Sequence, residues 1–484
     1  VPDLELLVIG GGPGGYVAAI RAAQRGLSVG LVEKERPGGV CLNWGCIPTK
    51  AMLRSAEIYQ TMTAAADFGI HADNVRFDFA VVRQRKDGIV KGLTDGVAGL
   101  LKANGVTVIE GHARFTGPTT VEVYEAGPSP VFEGGPRYAA APTGTRVREI
   151  SARDIIVATG STPARLPIPG VDLPGVINSD GAFGLAEVPC RLVVVGGSAV
   201  GAEWASLFAS FGSEVTVVEL QDRLVPLEDK EIGVALGRSF GKRGITVLTG
   251  STVESIAQAD SGLRVTVGGP KARDLDADIV LIGVGRRPNT ADLGLDVAGI
   301  DTDARGFIPV DEQLRTGVEH VYAIGDVTGK ALLAHVASHQ GLTAADVIAG
   351  HPAHIDYNVI PAATFTHPEI ASVGLTEDAA RAAGHEVLTA KFPFAALGRS
   401  QTFGDTEGFL KIVAGAKHRE VLGVHIIGPS ASDLIAEGAL AISLEATLDE
   451  LADTIHAHPT LGEIGMEAAL VGLGLPVHVA PRKR

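Results

Sequence analysis

Two cysteines five residues apart are the first residues in this chain whose types and spacing could do chemistry. Cys41 and Cys46 stand in Gly38-Gly39-Val40-Cys41-Leu42-Asn43-Trp44-Gly45-Cys46-Ile47-Pro48-Thr49-Lys50. At a helix start, this separation brings two sulfurs into bonding range only if the turn between them is tight. Gly45 permits such a turn, and Pro48 suits the first turn of the helix that follows. A helix N-terminus also lowers a thiol pKa and makes a thiolate available. The alternative is a pair of buried, reduced thiols. A metal site would need further Cys or His ligands close in sequence; there are none, and no metal is expected. The third cysteine, Cys190, precedes an apolar strand and reads as a small core residue.

A redox pair needs an electron acceptor, and two segments offer dinucleotide sites. Leu6-Leu7-Val8-Ile9 is a run of strand length, followed by Gly10-Gly11-Gly12-Pro13-Gly14-Gly15, a helix from Tyr16 to Arg25, and a second strand ending at Glu33. Gly10 makes the tight turn, Gly12 lets the backbone approach a pyrophosphate, and Gly15 lets helix and sheet pack closely. Glu33 can accept from a ribose hydroxyl pair. The pattern returns 186 residues later as Gly196-Gly197-Ser198-Ala199-Val200-Gly201, a helix through Phe211, and Val215-Thr216-Val217-Val218-Glu219. In each copy the acid lies 18 residues past the last glycine. Ser198 replaces the middle glycine, and its Cβ would loosen the pyrophosphate contact. Glu219 repels a 2′-phosphate and pairs with a free 2′-OH, favouring NAD over NADP. Arg223, the one nearby cation, is expected in solvent. Two dinucleotide sites imply electron transfer between a flavin and a nicotinamide, and the pattern alone does not say which copy holds which.

Dithiol chemistry also needs a base. A substrate thiol attacks poorly until deprotonated, and the leaving thiolate needs a proton. Histidine does both near neutral pH. Of 14 histidines, His71, His320 and His351 sit in loop-like contexts. His458 is followed five residues later by Glu463, a carboxylate able to hold the other ring nitrogen and stabilise imidazolium. His456 reads as structural.

These residues must be positioned by a chain of 484 residues with formal charge −15, a length that suggests about three domains. An acidic chain lacks the basic footprint of a nucleic-acid binder. With 62 glycines and few aromatics, the composition fits an α/β enzyme rather than an aromatic-rich β-sandwich. Its 45% hydrophobic content excludes global disorder. No uncharged apolar run reaches about 18 residues, so no membrane span is expected. Val1-Pro2-Asp3-Leu4-Glu5 shows no basic stretch leading into an apolar run, so no secretory signal is expected, and three cysteines are too few for a secreted disulfide scaffold.

Further motifs join the glycine turns and the cysteine pair: Ala158-Thr159-Gly160-Ser161, Gly285-Arg286-Arg287-Pro288-Asn289, Tyr322-Ala323-Ile324-Gly325-Asp326, Thr366-His367-Pro368-Glu369, and His456-Ala457-His458-Pro459-Thr460-Leu461-Gly462-Glu463. Over nearly its whole length the chain resembles the pyridine-nucleotide disulfide oxidoreductases. It most resembles the members that oxidise dihydrolipoamide, the shared flavoenzymes of 2-oxoacid dehydrogenase complexes. The resemblance implies an α/β fold with two Rossmann-like domains and a C-terminal α+β dimerisation domain. Its divisions are an FAD-binding part at 1–157, an NAD-binding domain at 158–283, a central domain completing the FAD site at 284–355, and a dimer-interface domain at 356–484.

The same resemblance assigns the first turn to FAD and the second to NAD. It places Gly10, Gly12, Gly15, Glu33, Ala113 (near the adenine), Thr159, Gly160, Asp326 (on the flavin side chain) and Ala334 (near its ring) at FAD, with Lys50 beside flavin N5. It places Gly196, Ser198, Gly201, Glu203, Glu219, Val253, Gly283 and Arg286 at NAD, with Glu203 paired to Lys50. Catalysis falls to a Cys41–Cys46 disulfide and the His458/Glu463 pair, with Lys50 and Glu203. His458 would deprotonate the substrate, Cys41 would take the attack, and Cys46 would be the thiolate against the flavin. Implied partners are a second copy of the chain, with each active site taking its histidine from the other subunit, and lipoyl domains and an acyltransferase core; neither nucleic acid nor membrane is expected. The implied location is the cytoplasm, or a mitochondrial matrix. Because the first strand begins within a few residues of Val1, no lipoyl-carrying extension is expected. A glutathione or mercuric reductase is the alternative enzyme. The first is disfavoured by Glu219 and the second by a C-terminus without a cysteine pair; a non-catalytic scaffold is disfavoured by the presence of Cys41, Cys46 and His458. Val40 and Trp44 depart from the family pattern. The span Gly127–Glu149 reads as a protruding hairpin, and the tail Pro476–Arg484 departs as well.

Overall fold

The computed structural model describes residues 2–126 and 144–481. It divides into two compact units. Unit one comprises Val1–Leu166, Val176–Glu187 and Gly285–Ile355, and unit two Pro167–Gly175, Val188–Val284 and Asp356–Arg484.

Unit one is built on a parallel sheet. Leu4–Ile9 lies between Val29–Glu33 and Arg146–Val157, with Thr107–Glu110 beyond the former and Val321–Ala323 beyond the latter. At the centre of this sheet, 6–9 and 155–157 are continuous apolar runs, as expected where helices cover both faces. Leu6, Leu7, Val8, Ile155, Ile156 and Val157 are fully buried. The helices Pro13–Gln24 and Ala334–Ile348 pack closely because both carry glycine at the contact: a Cβ on Gly341 would lie 2.5 Å from the Gly14 carbonyl oxygen. Arg25 closes the same contact with an ion pair to Asp346 at 2.8 Å. The first half of Arg146–Val157 pairs antiparallel with Thr120–Tyr124, which pairs with His112–Gly117. Of the Gly127–Glu149 hairpin expected from sequence, 127–143 lie outside the described residues, and the chain is in strand from Arg146.

Unit two repeats the parallel arrangement. Arg191–Val195 lies between Glu214–Glu219 and Ile279–Ile282, with Thr246–Thr249 beyond Glu214–Glu219. Three antiparallel strands, Thr252–Gln258, Leu263–Gly268 and Arg273–Ala277, are inserted before Ile279. The C-terminal part is an antiparallel sheet in the order Ala362–Thr364, Glu369–Gly374, Val421–Gly428, Phe409–Gly415, Val387–Pro393. Helices Ala431–Ser443 and Glu463–Gly472 pack on it over a core that includes Phe392, Ile412, Ile426, Ile435 and Ile464. Lys411, almost fully buried on this sheet, is satisfied by the carboxylates of Asp229 and Glu377. That charge pairing ties the sheet to the start of helix Lys230–Lys242, which Asp229 caps.

One expectation fails here. Cys190 is exposed, not a core residue. It precedes Arg191–Val195 by one residue, and its carbonyl takes the Glu214 N–H at 2.8 Å. The backbone has thus joined the end of the strand ladder while the side chain stays outside. No helix among the described residues is long and apolar enough to cross a membrane.

Candidate active site

The first glycine turn is fixed by its own backbone. Gly10 N–H donates to Val32 O at 2.8 Å, and the next strand arrives with Ala158 N–H on Ile9 O. Gly10 has φ +106, and a Cβ there would lie 2.3 Å from Ala158 O. A Cβ on Gly15 would lie 1.8 Å from Gly10 O. Glycine is therefore required at both ends of the turn. Helix Pro13–Gln24 begins at Gly12 without a side-chain cap and without an acid in its first turn, so its N–H groups suit an anion. Glu33 receives Gly11 N–H at 2.6 Å and Glu35 N–H at 2.8 Å. Burial raises its carboxyl above the ordinary range, against these two donors. An uncapped helix start beside a fixed carboxylate matches the pyrophosphate and ribose of a dinucleotide.

The second turn has the same construction. Gly196 has φ +100, Gly201 would place a Cβ 1.9 Å from Gly196 O, and helix Ala199–Ser210 starts at Ser198 without a side-chain cap. Glu219 receives Gly197 N–H at 2.6 Å and Gln221 N–H at 2.7 Å. Gly283 closes the turn, its N–H on Val195 O. Arg223 is not in solvent: it donates to Asp222 and to the Pro226 carbonyl, both at 3.0 Å, and packs over Gly233. The loop folds back through Val225 at φ +42, which draws the guanidinium in. Val253 is buried in strand Thr252–Gln258. Glu203 is buried in helix Ala199–Ser210 and accepts the Phe365 N–H at 2.9 Å.

The cysteines lie on two helices, Gly39–Trp44 and Cys46–Thr63, broken at Gly45. A Cβ on Gly45 would meet the Val40 carbonyl at 2.9 Å, so glycine is what allows the break. Cys46 opens the longer helix and is exposed, while Cys41 is half-buried. The Cys41 and Cys46 thiols hydrogen-bond to each other, and that bond, with burial, pushes the Cys41 thiol far above its ordinary range; the Lys50 charge opposes the rise. Trp44 is buried.

His458 Nδ1 lies 2.8 Å from Glu463 Oε1, and Glu463 Oε2 accepts the Thr460 N–H at 2.8 Å. Burial would raise the Glu463 carboxyl, but the Thr460 N–H and the His458 ring outweigh it and hold it below the ordinary carboxylate range. The carboxylate takes the Nδ1–H, and Nε2 is left as the proton-accepting atom on a side chain that is 77% exposed. His456 is held separately by Glu437 at 2.8 Å and by the Thr454 carbonyl at 2.9 Å.

A family model described as pyridine nucleotide-disulphide oxidoreductase matches residues 4–341, and the dimerisation domain of the same family matches 360–469. The chain belongs to the pyridine nucleotide-disulphide oxidoreductases. It is 44% identical to a dihydrolipoyl dehydrogenase of Geobacillus stearothermophilus over 478 residues, covering 99% of this chain and 98% of that protein. A Bacillus subtilis dihydrolipoyl dehydrogenase is 44% identical over 480 residues, with 99% and 98% covered. Among solved structures, LpdA from Mycobacterium tuberculosis matches with TM-score 0.86 at 28% identity, over 96% of this chain and 98% of that one. The HOCl-induced flavoprotein disulfide reductase RclA of Escherichia coli matches with TM-score 0.83 at 28% identity, over 96% and 99%. Members of this family use FAD and NAD, and both turns end in helix starts whose N–H groups have no side-chain cap.

The remaining residues assigned to the cofactors fall within single units. Ala113 is buried at the start of strand His112–Gly117, and Ala334 opens helix Ala334–Ile348. Thr159 and Gly160 are tied to Asn289, whose side chain donates to Thr159 O at 2.9 Å and whose N–H donates to Gly160 O at 3.0 Å. Lys50 lies in unit one and Glu203 in unit two. Arg286 lies with Ser161 and Asp326 in unit one, donating to Ser161 Oγ at 2.6 Å. Ser161 and Thr460 stand inside the sequence motifs without an assigned role, and Gln340 stands in none of them. Gln340, fully buried, accepts the Gly325 N–H and so fixes the turn that presents Asp326. A lone glutamine on an apolar helix gives no pattern by which to find it.

Proposed function

We propose that this chain oxidises dihydrolipoamide to lipoamide and reduces NAD, as a dihydrolipoyl dehydrogenase. The observation that carries the reading is the full-length identity to dihydrolipoyl dehydrogenases, joined to a hydrogen-bonded Cys41/Cys46 pair in the first unit. In the first half-reaction the substrate dithiol loses two electrons and two protons and closes to a disulfide. The Cys41–Cys46 disulfide opens and receives them. In the second, the cysteines close again, NAD takes a hydride and one proton is released. FAD, when bound, carries the electron pair between the two.

The chain's own residues divide the rest. His458 Nε2 takes a substrate thiol proton, and Glu463 stabilises the imidazolium. Cys41 receives the attacking sulfur; Cys46, at a helix start, carries the thiolate. Lys50 and Asp326 would hold FAD and Glu219 the NAD ribose, with Glu203 beside the nicotinamide. The dimerisation domain makes the enzyme a homodimer. In it, the exposed His458 serves the cysteines of the other copy, and the lipoyl domains and acyltransferase core of a 2-oxoacid dehydrogenase complex supply the substrate.

The test is NADH formation from dihydrolipoamide by the purified flavoprotein, run also on dimers reassembled from a Cys41→Ser chain and a His458→Ala chain. The wild type should be active, and the mixture should recover about a quarter of its activity, since half the dimers are hybrids with one intact site in two. Activity only with NADPH and glutathione disulfide would replace the substrate assignment. No recovery, with hybrids shown to form, would place the whole site within one subunit.

A further inference from the structure

The segment Arg286–Pro288 pairs antiparallel with Ser161–Pro163. Across this pair the Arg286 guanidinium makes two bonds to one residue: Nε–H to Ser161 Oγ at 2.6 Å and a terminal N–H to the Ser161 carbonyl at 2.8 Å. Ser161 Oγ is in turn 2.5 Å from Asp326 Oδ2, while Arg286 Nε stands 3.8 Å from the same oxygen. Ser161 is almost fully buried.

The direction of these bonds is forced. A guanidinium only donates, and an ionised carboxylate only accepts. Ser161 Oγ therefore accepts from Arg286, and its single hydrogen goes to Asp326. The chain of bonds runs one way, from cation through hydroxyl to carboxylate, and each bond to a charged end is of the stronger kind. It engages Oδ2. The backbone beneath Asp326 is fixed independently, by Gln340 on the Gly325 N–H and by the Gly329 N–H on the Asp326 carbonyl at 3.1 Å.

We propose that Arg286 and Ser161 are positioning residues for Asp326, acting as one relay that sets the carboxylate for the ribityl hydroxyls of FAD. Arg286 then belongs to the flavin grip, not to the NAD path where the family resemblance put it. The inference rests on the reading that Asp326 faces the flavin side chain. Ser161 does not touch the flavin in this account. It transmits the hold of Arg286, so neither residue has much effect once the other is gone.

The test measures FAD release from the holoenzyme by recovery of flavin fluorescence, for Ser161→Ala, Arg286→Gln, the double variant and Asp326→Asn. Each single change should raise the FAD dissociation constant about tenfold, the loss of one charge-assisted bond. The double variant should be no worse than the singles, because links of one relay are not additive. A hundredfold loss in the double variant would mean two independent contacts and overturn the relay. Unchanged FAD retention in Arg286→Gln with weaker NADH binding, read by titration, would return Arg286 to the NAD path and overturn it as well. Unchanged retention in Asp326→Asn would sink the placement of Asp326 itself, a failure distinct from additivity. Should Ser161→Ala not fold, Arg286→Lys reports the same relay: a lysine can donate to Ser161 Oγ but cannot grip its carbonyl with the same fork, and a loss smaller than that of Arg286→Gln is expected. Equal loss in both would again overturn it.

Discussion

In the first glycine turn Gly10 N–H donates to Val32 O, and in the second Gly196 N–H donates to Val218 O, both at 2.8 Å. The acids receive the second glycine's N–H in both, Glu33 from Gly11 and Glu219 from Gly197, each at 2.6 Å. Even the returning chain is matched: Gly38 N–H reaches Gly11 O at 2.7 Å, and Val225 N–H reaches Gly197 O at 2.9 Å. The two regions part in what that returning chain is made of. After the first, Gly39 at φ +53 comes so close that its own Cβ would lie 2.6 Å from Gly12 Cα, and the cysteine helix follows. After the second, Val225 takes φ +42, a backbone region that a β-branched residue rarely enters, and Leu224 packs over Gly197. The construction that holds a dinucleotide is common to both. The first turn has glycines where the redox helix must come close, and the second spends that space on hydrophobic packing.

The harshest way to break the comparison is to add a methyl at the last glycine of each turn. Gly15→Ala and Gly201→Ala put a Cβ 1.8 Å and 1.9 Å from a carbonyl oxygen of the turn itself. Neither can be relieved by a flexible side chain, so each should cost at least about 3 kcal/mol of stability. Denaturant unfolding of the two variants checks this. If one is tolerated and the other is not, the turns are not packed alike.

A milder change sharpens which turn serves which dinucleotide. Glu219→Ala removes the carboxylate that opposes a 2′-phosphate, so a wild-type preference for NAD over NADP of at least about tenfold should narrow. Glu33→Ala should instead weaken FAD retention and leave the nicotinamide preference where it was. Steady-state kinetics with both nicotinamides decide it; a preference that moves with Glu33 and not with Glu219 would exchange the two sites.

That both turns could be read from the chain has a physical reason: their glycines are required by backbone clashes, and their acids by N–H groups at a fixed offset along one βαβ unit. The His458/Glu463 pair was legible for the same reason, since both residues sit within one short turn. What escaped depended on contacts remote in sequence. Ser161 meets Arg286 and Asp326 only after the chain has left unit one and returned, and Gln340 supports Gly325 from a neighbouring helix. Cys190 was misread because residue type suggested burial, whereas strand register at Arg191 decided which side faced out. Arg223 was misread because nothing local foretold the fold-back at Val225.

The smallest effect is the most informative about the middle position, where the chain has Gly12 in one turn and Ser198 in the other. Both residues have ordinary backbone angles, φ −69 and φ −77, and both begin a helix without a side-chain cap. A Cβ on Gly12 would meet nothing nearer than Gly39 Cα at 3.9 Å. The protein itself therefore does not require glycine there; only a pyrophosphate lying against the backbone does. Gly12→Ser should leave the stability of the FAD-free protein within about 0.5 kcal/mol and still weaken FAD binding about twofold, roughly 0.4 kcal/mol at the helix start. Ser198→Gly should tighten NAD binding by a similar or smaller factor. The pair is measured by unfolding of the FAD-free proteins beside titration of each cofactor. A Gly12→Ser variant destabilised before any cofactor is added would show that packing, and not the ligand, dictates the middle glycine, and the likeness between the two turns would end at that residue.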